Sequence, residues 1–173
     1  MKTKTLILLT GARGIGKSTV CQRLVALWRE RGGVPAGLIT RTAGPERYLV
    51  DVASGEERLL AAEDTALAGP RRGKFSFSEE ALGWGNEVVR RAVAGPADLL
   101  LLDEVGPLEL VKGAGFRPAL EILLGSGKDA LVVVRPALLE KVRGMAGTRV
   151  VRTYKVTLED REGLAERIME GKV

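Results

Sequence analysis

The octapeptide Gly11 to Ser18, GARGIGKS, stands between an apolar run, Leu6 to Leu9, and a stretch with helical periodicity, and no other feature constrains the fold as strongly. It fits the pattern G-x-x-x-x-G-K-[ST], framed as a strand, a glycine-rich loop and a helix. Gly11, Gly14 and Gly16 open backbone conformations barred to residues with a Cβ, so successive N–H groups can converge on phosphate oxygens. Lys17 is placed to reach the β- and γ-phosphates of a bound polyphosphate, and the Ser18 hydroxyl to sit on Mg²⁺. The positive end of the following helix adds to the attraction. Ala12, Arg13 and Ile15 complete the loop and Thr19 enters the helix, so the whole run from Gly11 to Thr19 is a candidate nucleotide-binding segment.

Composition excludes several other chemistries. The chain has 173 residues, 45% of them apolar, the profile of one domain spanning 1–173 with a sizeable core. It contains no histidine and one cysteine, Cys21, so Ser-His-Asp and Cys-His nucleophile systems, the common zinc sites and an internal disulfide are all ruled out. Acid–base work falls to carboxylates, lysines or tyrosines. No apolar run is long enough to cross a bilayer, and the first one is too short for a signal peptide, so a cytoplasmic protein without membrane contact is expected. The net charge of +5 is scattered rather than gathered into a basic stripe. A nucleic-acid partner is therefore possible on charge but not indicated by pattern, and nothing calls for more than a monomer. A single asparagine (Asn86), a single glutamine (Gln22) and an excess of arginine over lysine suit a thermophile or a genome with biased codon usage.

Along the chain, apolar runs alternate with amphipathic stretches, as in strands covered on both faces by helices. Helix is expected from Ser18 to Arg31 and strand from Pro35 to Arg41. Tyr48 to Val52 and Arg58 to Ala61 read as a hairpin inserted into the alternating scheme. Gly69 to Ser78, with Arg71, Arg72 and Lys74 around Phe75 and Phe77, reads as a loop with at most a short strand: a solvated loop, or a lid over polyphosphate. A helix over Ser78 to Ala94, a buried strand over Asp98 to Glu104 and a short helix over Phe116 to Leu124 follow. Then come a strand over Ala130 to Arg135, a helix over Ala137 to Met145, a strand over Arg149 to Val156 and a helix over Asp160 to Glu170. The expected fold class is α/β, a three-layer αβα sandwich of the P-loop kind, with a mostly parallel sheet and an inserted β-hairpin.

The second constellation is LLLLDEVGPLEL, Leu99 to Leu110. Four leucines make a strand buried on both faces, and two acids at its carboxyl end stand where ligands bind in parallel α/β sheets. Asp103 is placed as a second Mg²⁺ anchor opposite Ser18. Glu104 is the candidate to orient and deprotonate an attacking water, the positioning that phosphoryl transfer demands. A glutamate directly after the aspartate points to the additional-strand, glutamate-catalysed branch of P-loop proteins. Val105 and Gly106 continue the same segment.

These residues resemble a family. GARGIGKST, GGVPAGLITR, YLVDVASGE, LLLLDEVGPLEL and VTLEDRE look like the THEP-type nucleoside-triphosphatases, small P-loop enzymes of thermophilic archaea and bacteria with animal relatives. The resemblance covers nearly the whole chain, and Asp103 to Leu110 is its most specific part. It implies slow, Mg²⁺-dependent hydrolysis of ATP, GTP and other nucleoside triphosphates to diphosphates, with broad base specificity. Gly11 to Ser18 and Leu99 to Gly106 would be the two nucleotide-binding segments. Where some members have lysine this chain has Pro107, so a phosphate contact of that lysine does not carry over. The Gly69 to Gly83 segment also looks shorter than in animal members.

Arg135 ends the next buried strand, where a cation can sense the γ-phosphate; a surface arginine before Pro136 is the alternative. Thr157, Asp160 and Arg161 follow the last strand, and an N-cap of the closing helix is their simplest role. Two rival functions use the same loop: a nucleoside or nucleotide kinase with a second substrate, and an ATPase serving a nucleic-acid partner. A guanine-specific switch is disfavoured, because Asn86 is not in an Asn-Lys-x-Asp motif.

Overall fold

In the computed structural model, which describes residues 4–63 and 65–171, a nine-stranded sheet carries helices on both faces. The strands are β1 (Thr5–Thr10), β2 (Pro35–Ala43), β3 (Glu46–Asp51), β4 (Glu57–Ala62), β5 (Arg71–Arg72), β6 (Phe75–Phe77), β7 (Leu99–Val105), β8 (Asp129–Val134) and β9 (Val150–Lys155). The helices are α1 (Lys17–Glu30), α2 (Glu79–Ala94), α3 (Pro107–Leu110), α4 (Arg117–Gly125), α5 (Leu139–Gly144) and α6 (Leu164–Glu170). Sheet order is β5-β6-β4-β3-β2-β7-β8-β1-β9. From β2 to β9 every neighbouring pair is parallel, and from β2 to β5 every pair is antiparallel. The extra strand β8 lies between β1, which feeds the glycine loop, and β7, which carries the acids, as the adjacent Asp-Glu pair suggested.

The four leucines of β7 show why the parallel half needs two helical layers. Leu99 and Leu101 join the core under α1 and α6, whereas Leu100 and Leu102 join the core under α2 and α4. All four are completely buried, because alternate side chains of a strand point to opposite faces. Close strand approach is demanded at Gly37 of β2, whose φ is 114°. A Cβ there would lie 2.1 Å from the Leu101 carbonyl oxygen of β7.

Several expectations are extended or corrected. The inserted hairpin is β3 and β4, but β3 also pairs with β2 from Leu38↔Asp51 to Ala43↔Glu46, so the insertion continues the sheet. The stretch read as a loop from Gly69 to Ser78 forms β5 and β6. Phe75 and Phe77 are buried there, and the Ser76 hydroxyl donates to the Thr65 carbonyl and accepts from Leu67 N–H. The helix expected from Asp160 begins only at Leu164. Asp160 Oδ1 accepts from both Thr157 N–H (3.0 Å) and Thr157 Oγ1 (2.7 Å), closing a turn ahead of the helix instead of capping it. The helix expected over Ala137 to Met145 splits into a 3-10 turn, Pro136–Leu138, and α5.

One irregularity shapes the carboxyl end of β7. Leu102 pairs with Val132 and Val105 with Val134, so Asp103 and Glu104 together face the single residue Val133. This is a β-bulge, and at it Glu104 takes φ 71°, the one positive φ of a non-glycine among the described residues. In an unbroken strand consecutive side chains would diverge; here Asp103 and Glu104 border the same cleft.

Two substitutions test this backbone. Gly37→Ala should destabilise the protein by about 3 kcal/mol or more, through overpacking and forced φ, measured by denaturant unfolding. Glu104→Gly and Glu104→Ala both delete the carboxylate, yet the glycine variant should be the more stable by about 1 kcal/mol. Equal stabilities would mean that Glu104 is not strained.

Candidate active site

The phosphate loop emerges from β1 at the carboxyl end of the parallel strands. Gly11, Gly14 and Gly16 have φ of 152°, 70° and 111°, the conformations for which glycine was expected. A Cβ on Gly11 would sit 3.0 Å from the Val156 carbonyl oxygen and 3.1 Å from Ile15 Cγ2. Ile15 itself turns away from the cleft to pack on the α1/α6 core. No side chain caps α1, so its first N–H groups face the cleft, where the helix dipole favours an anion. Lys17 Nζ donates to the carbonyl oxygens of Gly11 (3.0 Å) and Ala12 (2.7 Å), which holds the ammonium over the loop. Partial burial draws its pKa below the ordinary lysine range, with the charges of Asp103 and Glu104 opposing the shift.

Opposite the loop lies Asp103, only 3% exposed. Its Oδ2 accepts from Ser18 Oγ at 2.7 Å, Thr40 Oγ1 at 2.8 Å and Thr40 N–H at 3.2 Å, and its Oδ1 accepts from Glu104 N–H at 2.9 Å. The Ser18 and Thr40 hydroxyls are 3.3 Å apart. Ser18 and Asp103, predicted from sequence as metal anchors, are thus brought into contact, and Thr40 of β2 is a third oxygen donor that sequence reasoning missed. These hard oxygens suit Mg²⁺. No group of three or more acidic or cysteine side chains arranged to hold a metal ion is found among the described residues, so an ion here would draw its remaining ligands from phosphate and water, as Mg²⁺ does.

Glu104 points toward the same space. Burial raises its pKa, the nearby Asp103 charge adds to the rise, and Arg47, Arg135 and Arg72 oppose it. Arg47 Nη1 lies 3.3 and 3.5 Å from the two carboxylate oxygens. The bulge is locked from behind by Glu109, 3% exposed, which accepts from Gly106 N–H at 2.8 Å and Phe116 N–H at 3.3 Å. Burial raises the Glu109 pKa against those two backbone bonds. Glu109 belongs to the motif-bearing segment, but its part in the turn was not visible from spacing.

The cleft enclosed by these elements has a volume of about 880 Å³. The loop residues Gly11 to Gly14 and Gly16 to Thr19 line it, together with Asp103 to Gly106 and Arg135, so the phosphate loop apart from Ile15, the acidic strand end and Arg135 border one space, while Leu99 to Leu102 of the same segment are core. The antiparallel extension supplies a rim formed by Thr42, Gly44, Arg47, Glu63, Arg72 and Phe75, of which the sequence had pointed only to the segment around Arg72 and Phe75. Of the basic cluster read as a loop or lid, Arg72 faces the cleft, while Lys74 pairs with Glu63 at 2.8 Å. Burial, and then the like charge of Arg135, oppose the charge on Arg72. Arg161 lies outside, its Nη1 3.5 Å from the Ile15 carbonyl oxygen, and Asp160 is held at a pKa of about 2, first by its bond from Thr157 and then by Arg167.

Comparison with known proteins agrees with this geometry. A family model described as NTPase matches residues 6–169. The nucleoside-triphosphatase THEP1 of Methanopyrus kandleri is 34% identical, covering 95% of this chain and 93% of its own, and that of Thermofilum pendens is 34% identical over 93% and 91%. In structure, THEP1 from Aquifex aeolicus superposes with a TM-score of 0.74 at 16% identity, covering 95% of this chain and 97% of that one. A human cancer-related nucleoside triphosphatase gives 0.72 at 20% identity, with 96% of each chain covered. A glycine loop, a bulged Asp-Glu strand end and an antiparallel extension thus occur in a chain that belongs to the THEP1-type family of P-loop nucleoside-triphosphatases.

Proposed function

We propose that the protein hydrolyses nucleoside triphosphates to the diphosphate and inorganic phosphate, with Mg²⁺ and with little selectivity for the base. The observation that carries this reading is the bulge that turns both Asp103 and Glu104 toward the cleft beside the phosphate loop. Similarity over nearly the whole length to proteins named nucleoside-triphosphatase supports it. The N–H groups of Gly11 to Thr19 bind the phosphates, and Lys17 exchanges its two carbonyl partners for β- and γ-oxygens. Ser18 and Asp103 would hold Mg²⁺, which when bound neutralises phosphate charge. Glu104, made more basic by burial, accepts a proton from a water whose oxygen forms a bond to the γ-phosphorus. The bond from that phosphorus to the β–γ bridging oxygen breaks, and the electron pair leaves with the diphosphate.

Phosphoryl transfer to a second substrate is the rival, and one observation favours it: the rim of Arg13, Arg47, Arg72 and Arg135 around the cleft. Incubating purified protein with ATP and Mg²⁺ alone decides between them. Steady phosphate release is expected, and release only on adding a nucleoside or nucleotide would establish a kinase instead.

Two variants assign the roles. Lys17→Ala should weaken nucleotide binding and abolish turnover. Glu104→Gln should leave ADP binding within about twofold while lowering kcat by about 10²-fold or more, the scale of general-base catalysis. A Glu104→Gln enzyme with near-normal kcat would remove Glu104 from the mechanism.

A further inference from the structure

We propose that Arg47 is an exchange residue: it holds Glu104 while the cleft lacks a triphosphate and transfers to the terminal phosphate when one binds, releasing Glu104 toward the water. This rests on the hydrolytic reading of the site and names the group that couples binding of the third phosphate to exposure of the base.

Three observations converge on Arg47. Its placement is built into the sheet. Because β3 runs antiparallel to β2, with Thr42↔Arg47 in register, the first residues of β3 stand at the end of the sheet where the phosphate loop opens. Across the β3–β4 ladder Arg47 pairs with Ala61 and Tyr48 with Leu59, so Leu60 of β4 is an extra residue, a bulge in the strand beside this position. Arg47 lines the cleft with a side chain only 15% exposed.

Its present bond is a poor one. A single nitrogen, Nη1, spans both Glu104 oxygens at 3.3 and 3.5 Å, where well-formed guanidinium–carboxylate bonds are about 2.7–2.9 Å and use two nitrogens. No other carboxylate among the described residues pairs with Arg47. The Asp103 oxygens are taken by Ser18, Thr40 and Glu104 N–H. Glu63 is paired with Lys74.

Its support permits movement of the head without loss of the stem. The guanidinium lies 4.3 Å from the Phe75 ring centroid, and Arg13 of the phosphate loop lies 5.5 Å from the same ring. A cation stacked on an aromatic face keeps that contact while its nitrogens change partner. Phe75 is therefore the platform on which Arg47 swings from a stretched carboxylate contact to a phosphate, a more highly charged acceptor with oxygens suited to its fork. Arginine supplied within the same chain to the γ-phosphate is a known device of phosphoryl transfer, and here it would also carry the latch on the base.

The test measures binding of Mg²⁺·ADP and of a Mg²⁺-bound non-hydrolysable ATP analogue by calorimetry, with kcat from phosphate release. Variants are Arg47→Ala, Arg47→Lys, Glu104→Gln and the Arg47→Ala/Glu104→Gln double. Arg47→Ala should bind ADP within about twofold of wild type, lose about tenfold or more of its preference for the analogue and lose about 10²-fold or more in kcat. Arg47→Lys, which keeps the charge but not the fork, should recover part of the preference. Glu104→Gln should bind the analogue more tightly than wild type, because exchange no longer breaks an ion pair, and this gain should vanish in the double variant. A wild-type preference for the analogue in Arg47→Ala, or no gain in Glu104→Gln, overturns the proposal. The binding measurements do not depend on turnover, so a wild-type protein that released no phosphate would overturn the hydrolytic reading through a separate result.

Discussion

A buried carboxylate with four donors around it organises this protein. Asp103 is almost wholly withdrawn from water, and a charge so placed is tolerated only when it is fully hydrogen-bonded. Ser18 of α1, Thr40 of β2 and the Glu104 N–H on its own strand meet that demand. The phosphate loop, the strand that ends in acid and the strand that begins the antiparallel extension are thereby tied at one point. Loop geometry, bulge and rim arginines all take their positions relative to it.

The sheet has two halves with different tasks. The parallel half, β2-β7-β8-β1-β9, is packed on both faces and places strand ends in a row, where glycine loop and acids meet. The antiparallel half reverses direction after β2, which returns the beginning of β3 and the end of β4 to that same rim. A wall of Arg47, Arg72, Glu63 and Phe75 thus rises across from the loop out of the inserted antiparallel strands and the turns between them. The one non-glycine at positive φ among the described residues, Glu104, lies at the junction, held from behind by Glu109, whose carboxylate pins Gly106 and Phe116.

Much was legible in the sequence because it is encoded locally. The loop residues declare themselves by a backbone that only glycine adopts freely, and Gly11, Gly14 and Gly16 all take positive φ. Leu99 to Leu102 announce a strand buried on both faces because four successive apolar side chains must point alternately to two cores. Where the reading slipped, a non-local contact decided the outcome. Phe75 and Phe77 look like loop residues until β4 gives β6 a ladder partner, and Asp160 looks like a helix cap until Thr157 takes its carboxylate.

The chain by itself determined an α/β fold with a phosphate loop, an acidic strand end and no histidine chemistry, since each depends on residue type at short spacing. Only the tertiary structure decided that Asp103 and Glu104 face one way, that Thr40 joins Ser18, and that Arg47 reaches Glu104 from 57 positions away. Strand pairing and register set those meetings. They arise from hydrogen bonds between segments distant in sequence, and residue spacing along a single strand carries no record of which partner will lie beside it.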